Sequence, residues 1–248
     1  MTRPSDALRE VYERRGQLEY DRPAPLPNPL DRKFERIAEV LSGLLPCEAF
    51  LDAGCGDGRF FAVLASLGEQ PKQVAGTDIA QSILETAGAT ANAAGISVEL
   101  SQANLEELPY ADRTFDVVLC TQVIEHLLEP AQGLRELRRV LRPGGRLLIT
   151  TDNRGNRVSR ILNGPRKLLV GVLGLRGRRL RVHFPHAEFD RSAFRAMLEE
   201  AGFSVRHSET FRFHLIQGPA AVQRLLNALD RRFAPHGVGD ILLFVCET

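Results

Sequence analysis

The stretch Leu51-Asp-Ala-Gly-Cys-Gly-Asp-Gly-Arg59 decides the fold that we predict for this chain. Three glycines, Gly54, Gly56 and Gly58, alternate along it and follow an apolar run that ends in Asp52. A helical pattern begins directly after them, so the stretch predicts a strand, a tight turn and a helix N-terminus. Glycines allow a positive φ and a close approach of a ligand to the backbone, and a helix start adds unpaired N–H groups. The stretch therefore predicts a site for a nucleotide-like cofactor at the carboxyl edge of a parallel sheet.

Strand and helix patterns alternate on both sides of this stretch, and residues 142–145 are predicted to turn the chain. The strand patterns lie at 49–53, 73–78, 96–100, 115–120, 146–151, 203–213 and 241–246. The helix patterns lie at 1–20, 30–45, 59–67, 80–94, 130–141, 190–201 and 220–233. Such an alternation favours an α/β fold with a Rossmann-like, doubly wound sheet.

Composition favours a globular protein with one large domain. The chain has 248 residues, of which 44% are hydrophobic and 25% charged, enough for a full core. None of the cysteines Cys47, Cys55, Cys120 and Cys246 forms a CxxC pair, so a reducing, cytoplasmic location is expected. Residues 1–15 are too charged for a signal peptide, and no apolar run approaches the ~20 residues of a membrane-spanning helix.

Residues 153–187 form a basic segment with nine Lys or Arg and no Asp or Glu, although the whole chain carries a net charge of only +1. We expect this basic segment to be a lid or substrate cover. Its apolar residues flanked by arginines, within 154–181, also suit contact with an anionic membrane, and its cations suit an anionic substrate. RNA is the least supported partner, because few aromatic residues interleave the arginines.

The glycine spacing argues against a dinucleotide or a bare phosphate as the ligand. It is GxGxG rather than GxGxxG, and no Lys-Ser or Lys-Thr pair follows it. Asp52 suits a ligand that bears a cationic amine, and Asp78 ends the next strand, where a carboxylate can accept both hydroxyls of a ribose. Asn104 and Leu105 follow the third strand, where a side-chain oxygen and an N–H can meet an adenine edge. Amine, ribose and adenine in that order describe S-adenosylmethionine.

Several motifs resemble those of class I S-adenosylmethionine-dependent methyltransferases, nearest to their ubiquinone-biosynthesis-like small-molecule branch. In chain order the motifs are LDAGCGDG at 51–58, GTD at 76–78, NLEELPYADRTFDVVLC at 104–120, VIEHL at 123–127 and LRPGGRLLITT at 141–151. Residues 186–205 resemble the last helix and the following strand of that branch more loosely. The resemblance implies a seven-stranded sheet whose last strand is antiparallel.

The resemblance also implies a cofactor-binding role for each residue around the glycine turn. Asp52 and the glycines would hold the methionine part, Asp78 the ribose, and Thr121 would lie near the sulfonium. Ile79 would pack on the adenine, and residues 104–105 would bind its edge, with an Asn where the family usually has Asp. The full expected set is Asp52, Gly54, Cys55, Gly56, Gly58, Asp78, Ile79, Asn104, Leu105 and Thr121.

Two histidines are candidates for a catalytic base, His126 in Val-Ile-Glu-His-Leu and His186 in His-Phe-Pro-His. An oxygen acceptor must lose a proton, and either imidazole could take it. Glu125 and His126 could equally cap a helix or hold a loop. His183 and His186 form an HxxH pair that fits a lid or an acceptor pocket; no metal site is predicted, because a supporting Cys or carboxylate cluster is lacking.

The sequence thus predicts an enzyme that moves a methyl group from S-adenosylmethionine to an oxygen or carbon of a small-molecule acceptor, lipid-like acceptors included. The alternatives are an RNA or protein methyltransferase, and a cofactor-binding scaffold without catalysis. The predicted organisation is an N-terminal helical segment with a Pro-rich connector at 1–45, a cofactor-binding core at 46–152, the basic segment, and a C-terminal part of the same domain at 188–248.

Overall fold

The computed structural model describes residues 4–19, 32–156, 161, 186–212, 220–233 and 239–248. The Pro-rich connector and most of the basic segment, including His183, lie outside these residues, so their expected roles stay predictions. Within the described residues, no helix combines the length and the apolarity that crossing a membrane requires.

In the described part of the chain, seven strands form one sheet in the order β3-β2-β1-β4-β5-β7-β6. The strands are β1 Ala49–Ala53, β2 Gln73–Asp78, β3 Glu99–Gln102, β4 Phe115–Thr121, β5 Leu141–Asp152, β6 Ser204–Phe211 and β7 Ile241–Glu247. Neighbours from β3 to β5 are parallel, whereas β7 is antiparallel to both β5 and β6. The predicted Rossmann-like, doubly wound sheet with an antiparallel last strand is confirmed.

Helices cover both faces of the sheet. They are α1 Pro4–Glu19, α2 Arg32–Ser42, α3 Arg59–Ser66, α4 Gln81–Ala93, α5 Pro130–Val140, α6 Arg191–Glu200 and α7 Ala220–Phe233, with a 3-10 turn at Ile124–His126. Successive residues of β4 point to opposite faces, so Val117 packs with α2, α3 and α4 while Val118 packs with α5 and α6. The central strands are therefore apolar on both faces, as expected of a covered parallel sheet.

Two sequence expectations shift by a few residues. The third strand was expected at 96–100 but runs over Glu99–Gln102. The strand starts later because residues 95–96 still belong to the end of α4. Gly95 has a φ of 74°, and the Ile96 N–H donates to the Ala91 carbonyl at 3.0 Å, so Ile96 closes the helix. The expected turn at 142–145 lies inside β5 as an irregularity, since the ladder to β4 breaks before it resumes at Arg146.

Buried and half-buried ion pairs fix α2 against the C-terminal part of the chain. The Arg32 guanidinium lies 3.0 Å from the Asp230 carboxylate of α7, and both side chains are less than 10% exposed. Arg36 lies 2.6 Å from Glu209 on β6. These contacts matter for the site, because α2 also forms part of a cavity wall.

Candidate active site

A cavity of about 380 Å³ lies at the carboxyl ends of the central strands. The strand order reverses between β1 and β4, and open α/β sheets bind ligands in the crevice at such a switch point. The volume falls in the range of small-molecule sites. Eight of the ten expected cofactor residues line this cavity: Gly54, Cys55, Gly56, Asp78, Ile79, Asn104, Leu105 and Thr121.

The three glycines of the turn are needed for different reasons. All have a positive φ, at 85° for Gly54, 54° for Gly56 and 79° for Gly58. A Cβ at Gly54 would lie 2.3 Å from a methyl group of Val123, and one at Gly58 would lie 2.9 Å from the backbone of Ala87. A Cβ at Gly56 would meet nothing within 4 Å. Gly54 and Gly58 therefore permit close packing of the chain, whereas Gly56 leaves open space where a ligand can approach.

Asp78 is held in a fixed orientation at the end of β2. Its two carboxylate oxygens accept hydrogen bonds from the Gly56 N–H at 3.0 Å and the Ala80 N–H at 3.1 Å. Burial raises the pKa of Asp78, although these backbone donors act in the opposite direction. The carboxylate thus connects the glycine turn to the start of α4 at the cavity wall, where the sequence predicts a ribose.

Asp52 is fully buried beneath the turn and does not line the cavity. Among the described residues, neither of its carboxylate oxygens has a hydrogen-bond partner. Burial, and then the neighbouring charge of Asp78, raises the pKa of Asp52 to about 8. A buried, unsatisfied carboxyl group is costly in a native fold and calls for an explanation. A cationic ligand group nearby would favour its ionised form, so its expected role towards the cofactor amine stays a prediction.

The remaining expected cofactor residue outside the cavity is Gly58, which shapes the start of α3. Asn104, inside the cavity wall, also has a local structural role. Its Oδ1 accepts from the Glu106 N–H at 3.1 Å, and its Nδ2 donates to the Glu106 carboxylate at 3.2 Å. This is the turn that a strand-ending Asn commonly makes. A ligand edge would therefore meet an amide whose orientation is already set.

The two candidate catalytic histidines lie next to each other. His126 lines the cavity, and its ring centroid is 5.2 Å from that of His186, which is outside the lining. The Nε2 of His186 lies 3.0 Å from the Asp152 carboxylate at the end of β5. On the other side, the Tyr12 ring lies edge-on to His126 at a centroid distance of 6.2 Å. Within the described ranges, no group of three or more His, Cys, Asp or Glu is placed to hold a metal ion.

Glu125, by contrast, holds the loop that carries His126. The Thr151 hydroxyl donates to its carboxylate at 3.0 Å, and the Ala187 N–H donates to its backbone carbonyl at 2.9 Å. Its side chain is 1% exposed, and burial raises the pKa of Glu125 to about 8. Glu125 thereby joins the 3-10 turn to β5 and to the residues that follow the basic segment, which places His126 and His186 side by side.

The first helix closes one side of the cavity, which sequence patterns did not indicate. Leu8 and Tyr12 of α1 line the cavity. Glu13 accepts hydrogen bonds from the Ser82 N–H at 3.1 Å and the Ser82 hydroxyl at 2.8 Å, at the start of α4. It also accepts from the Gln102 amide at 3.1 Å. These partners are far apart in sequence, so only the folded chain brings them together.

Other residues of the wall were not assigned to the site from the sequence either, among them Lys33, Phe34 and Gln122. Lys33 and Phe34 come from α2, and Gln122 follows β4 with a positive φ of 56°. A non-glycine residue with such a φ is uncommon and often marks a functional site, but no local sequence signal predicts the positive φ of Gln122. The ammonium of Lys33 lowers the pKa of both Asp52 and Glu125, although burial dominates at each carboxyl group.

The fold and the cavity define an α/β domain with a cavity of small-molecule size at the carboxyl edge of its sheet. Residues 51–149 match the family model described as "Methyltransferase domain". Over these residues the chain is similar to methyltransferase domains, which confirms the predicted resemblance to S-adenosylmethionine-dependent methyltransferases.

Curated relatives match about half of the chain. "Ubiquinone biosynthesis O-methyltransferase" of Rickettsia conorii is 36% identical over 126 residues, which are 51% of this chain and 41% of the relative. "Probable S-adenosylmethionine-dependent methyltransferase" of Mycobacterium tuberculosis is 42% identical over 124 residues, 49% of this chain and 43% of the relative. The chain thus spans less than half the length of these two curated relatives.

Solved structures extend the similarity in fold to most of the chain. The S-adenosylmethionine-dependent methyltransferase from Mesorhizobium loti superposes with a TM-score of 0.59 at 21% identity. The match covers 88% of this chain and 100% of that one. At this identity the superposition shows the fold alone, and the activity has to be argued from the site.

Proposed function

We propose that the chain is an S-adenosylmethionine-dependent methyltransferase that methylates an oxygen of a small-molecule acceptor. The observation that carries this proposal is the shared cavity, in which residues expected to bind the cofactor and His126 lie in one wall. An enzyme for this reaction needs both a cofactor site and a proton acceptor within one cavity.

The cofactor side of the proposal depends on the glycine turn and the two carboxyl groups. S-adenosylmethionine, when bound, supplies a methyl group on a positively charged sulfur. Gly56 leaves the backbone bare at the cavity, Asp78 presents an oriented carboxylate, and the buried Asp52 lacks a hydrogen-bond partner among the described residues. These features suit a ligand with hydroxyl groups and a cationic amine, so the residues present fit the cofactor.

The acceptor side depends on the two histidines. His126 is at the cavity wall, and Asp152 holds the neighbouring His186 through its Nε2. A carboxylate partner fixes the orientation of an imidazole. We propose His126 as the group that takes the acceptor proton and His186 as its neighbour on the acceptor side. A positioned base is worth ~10²–10⁴-fold in rate. The relative in Rickettsia conorii is named as an O-methyltransferase, which supports oxygen rather than carbon as the acceptor atom.

Turnover of methyl-labelled S-adenosylmethionine tests this proposal. The wild-type chain would be incubated separately with phenols and catechols, aliphatic alcohols, amines, RNA and peptides. We expect label in the hydroxylated small molecules. Label in RNA or peptide would support a macromolecular substrate instead, and cofactor binding without transfer to any class would support a scaffold.

Two variants, each with one histidine replaced, test the assignment of His126 as the base. His126→Asn should lower kcat about 10²–10⁴-fold and remove the alkaline rise of the pH–rate profile. The matched control is His207→Asn, because His207 lies on β6 beside Glu209 and does not line the cavity. Equal activity of the two variants would remove His126 from the mechanism.

A further inference from the structure

The outer face of α7 is unusually apolar for a surface helix. The described chain exposes five large hydrophobic side chains, and three of them, Val222, Leu225 and Leu229, lie on this helix. Leu225 is 60% exposed, and the other two are each 39% exposed. Their spacing places them on one side of the helix, because residues three, four and seven apart share a face. They form a continuous stripe rather than scattered exposed residues, which would be ordinary.

The solvent-exposed surface of α7 is also positively charged. Arg224, Arg231 and Arg232 are all exposed, whereas the one acidic residue of α7, Asp230, is buried. Arg231 lies 2.7 Å from Glu35. Among the described residues, no carboxylate lies within ion-pair distance of Arg224 or Arg232. The solvent side of α7 therefore combines an apolar stripe with two cations that are not neutralised by a described partner.

The opposite face of α7 is fixed to the protein, so the stripe cannot turn inward. Leu226 and Asn227 are less than 10% exposed, and Asp230 accepts from the buried Arg32 at 3.0 Å. Arg32 belongs to α2, whose next two residues line the cavity. The inner face of α7 therefore packs on the helix that also forms part of the cavity wall.

We propose that the outer face of α7, defined by Val222, Arg224, Leu225, Leu229 and Arg232, binds an anionic lipid surface. An interfacial helix places apolar residues at the boundary of the acyl chains and cations among the headgroups, and long arginine side chains reach towards those headgroups. A second copy of this chain fits less well. A two-fold contact would bring the same unneutralised arginines of both copies together. Its residues are other than those of the basic segment, and its proposed binding does not depend on methyl transfer.

Sedimentation with vesicles tests the surface in the full chain. Vesicles of phosphatidylcholine alone would be compared with vesicles that also contain phosphatidylglycerol, at low and at high salt. Binding should need phosphatidylglycerol and weaken with salt. The double variant Arg224→Gln, Arg232→Gln should bind roughly 25-fold more weakly, because the loss of each arginine should weaken binding about fivefold. The double variant Leu225→Ser, Leu229→Ser should bind at least roughly tenfold more weakly.

Controls carry one substitution of each kind elsewhere on the surface. Leu128→Ser removes an apolar residue of similar exposure, and Arg135→Gln removes an exposed cation of α5. Both should bind within about twofold of wild type, and circular dichroism should show every variant folded.

Three results would overturn the proposal. The first is a wild-type chain that ignores anionic vesicles at low salt. The second is vesicle binding by the leucine variant at the wild-type level. If neutralising Arg176, Arg178, Arg179 and Arg181 then abolished vesicle binding, the lipid contact would belong to the basic segment. The third is a wild-type dimer in sedimentation velocity that the leucine variant dissociates, which would make the face an interface between copies.

Discussion

Replacing Asp52 by asparagine removes a carboxyl group that the fold buries completely and, within the described residues, leaves without a hydrogen-bond partner. The change keeps the shape and volume of the side chain but removes its ability to ionise. We predict that the variant folds more stably than wild type at neutral pH and binds the cofactor more weakly. If a residue is retained for ligand binding rather than for folding, its replacement should raise the stability of the fold and lower the affinity for the ligand.

The magnitude follows from the pKa of Asp52, which burial raises to about 8 in the folded chain. In the unfolded chain the group ionises near ~3.9. Between these values the folded chain keeps a proton that the unfolded chain has lost, so the stability contributed by this group is present at low pH and declines as pH rises through about 8. The decline is ~1.4 kcal/mol per pH unit, or about 3 kcal/mol between roughly pH 5 and pH 7.

Urea denaturation at several pH values, followed by circular dichroism, measures this difference. The free energy of unfolding of Asp52→Asn should exceed that of wild type by an amount that grows by about 3 kcal/mol across that window. Asp116→Asn is the matched control. Burial alone would raise the pKa of Asp116, but the Ala49 N–H and Arg142 hold it below its ordinary value. That variant should therefore be less stable than wild type, with a constant difference across the same pH range.

Calorimetric titration with S-adenosylhomocysteine supplies the other half of the test. A hydrogen bond or contact to a charged group is worth ~1.5–3 kcal/mol, so Asp52→Asn should lose roughly tenfold to a hundredfold in affinity. In wild type the affinity should rise with pH below about 8, because a cationic ligand needs the ionised carboxylate. Unchanged affinity in the variant, or stability curves parallel to those of wild type, would refute the reasoning.

Three further predictions concern the cavity walls. Gly56→Ala should keep the fold and weaken S-adenosylhomocysteine binding at least roughly tenfold in a calorimetric titration. Gly144→Ala is the control, because Gly144 has the same open surroundings and a φ of 75°. It should lower the melting temperature through the strain of a Cβ at positive φ and leave the binding unchanged. Glu13→Gln should weaken the attachment of α1 to α4 and speed S-adenosylhomocysteine dissociation roughly fivefold in stopped-flow measurements, since a cap contributes ~1 kcal/mol. Arg32→Leu should lower the free energy of unfolding by about 3 kcal/mol in urea, because it leaves Asp230 buried without its charge partner; an unaffected variant would show that this pair does not fix α2.

The parts of the fold that the sequence predicted well depend on local signals. The bounds of β1, β2 and α7 are as expected, since each is an apolar run or stripe with a clear end. The positive φ at Gly54 and Gly58 follows from glycine spacing, and the position of Asp78 follows from its place at a strand end. These residues meet because the carboxyl ends of parallel strands share one edge of the sheet, which topology alone dictates.

The parts that it could not predict depend on long-range contacts. Nothing near Glu13 indicates that its carboxylate caps α4, because Ser82 is 69 residues away. The role of Asp52 towards the cofactor amine stays a prediction. Its complete burial beneath the turn could not be predicted, since packing of α3 and the turn over β1 decides the exposure of a strand-end side chain. The shift of β3 has a local cause, the Gly95 turn, that a pattern of apolar residues does not resolve.

Equilibrium dialysis of the wild-type chain with labelled S-adenosylmethionine tests the central claim most directly, which is that the cavity at the switch point of the sheet is a cofactor site. We predict saturable binding of one equivalent, displaced by S-adenosylhomocysteine and lost in Asp78→Ala while that variant keeps its circular dichroism spectrum. Retention of label by Asp78→Ala at the wild-type level, or no retention by the folded wild type, would contradict the account.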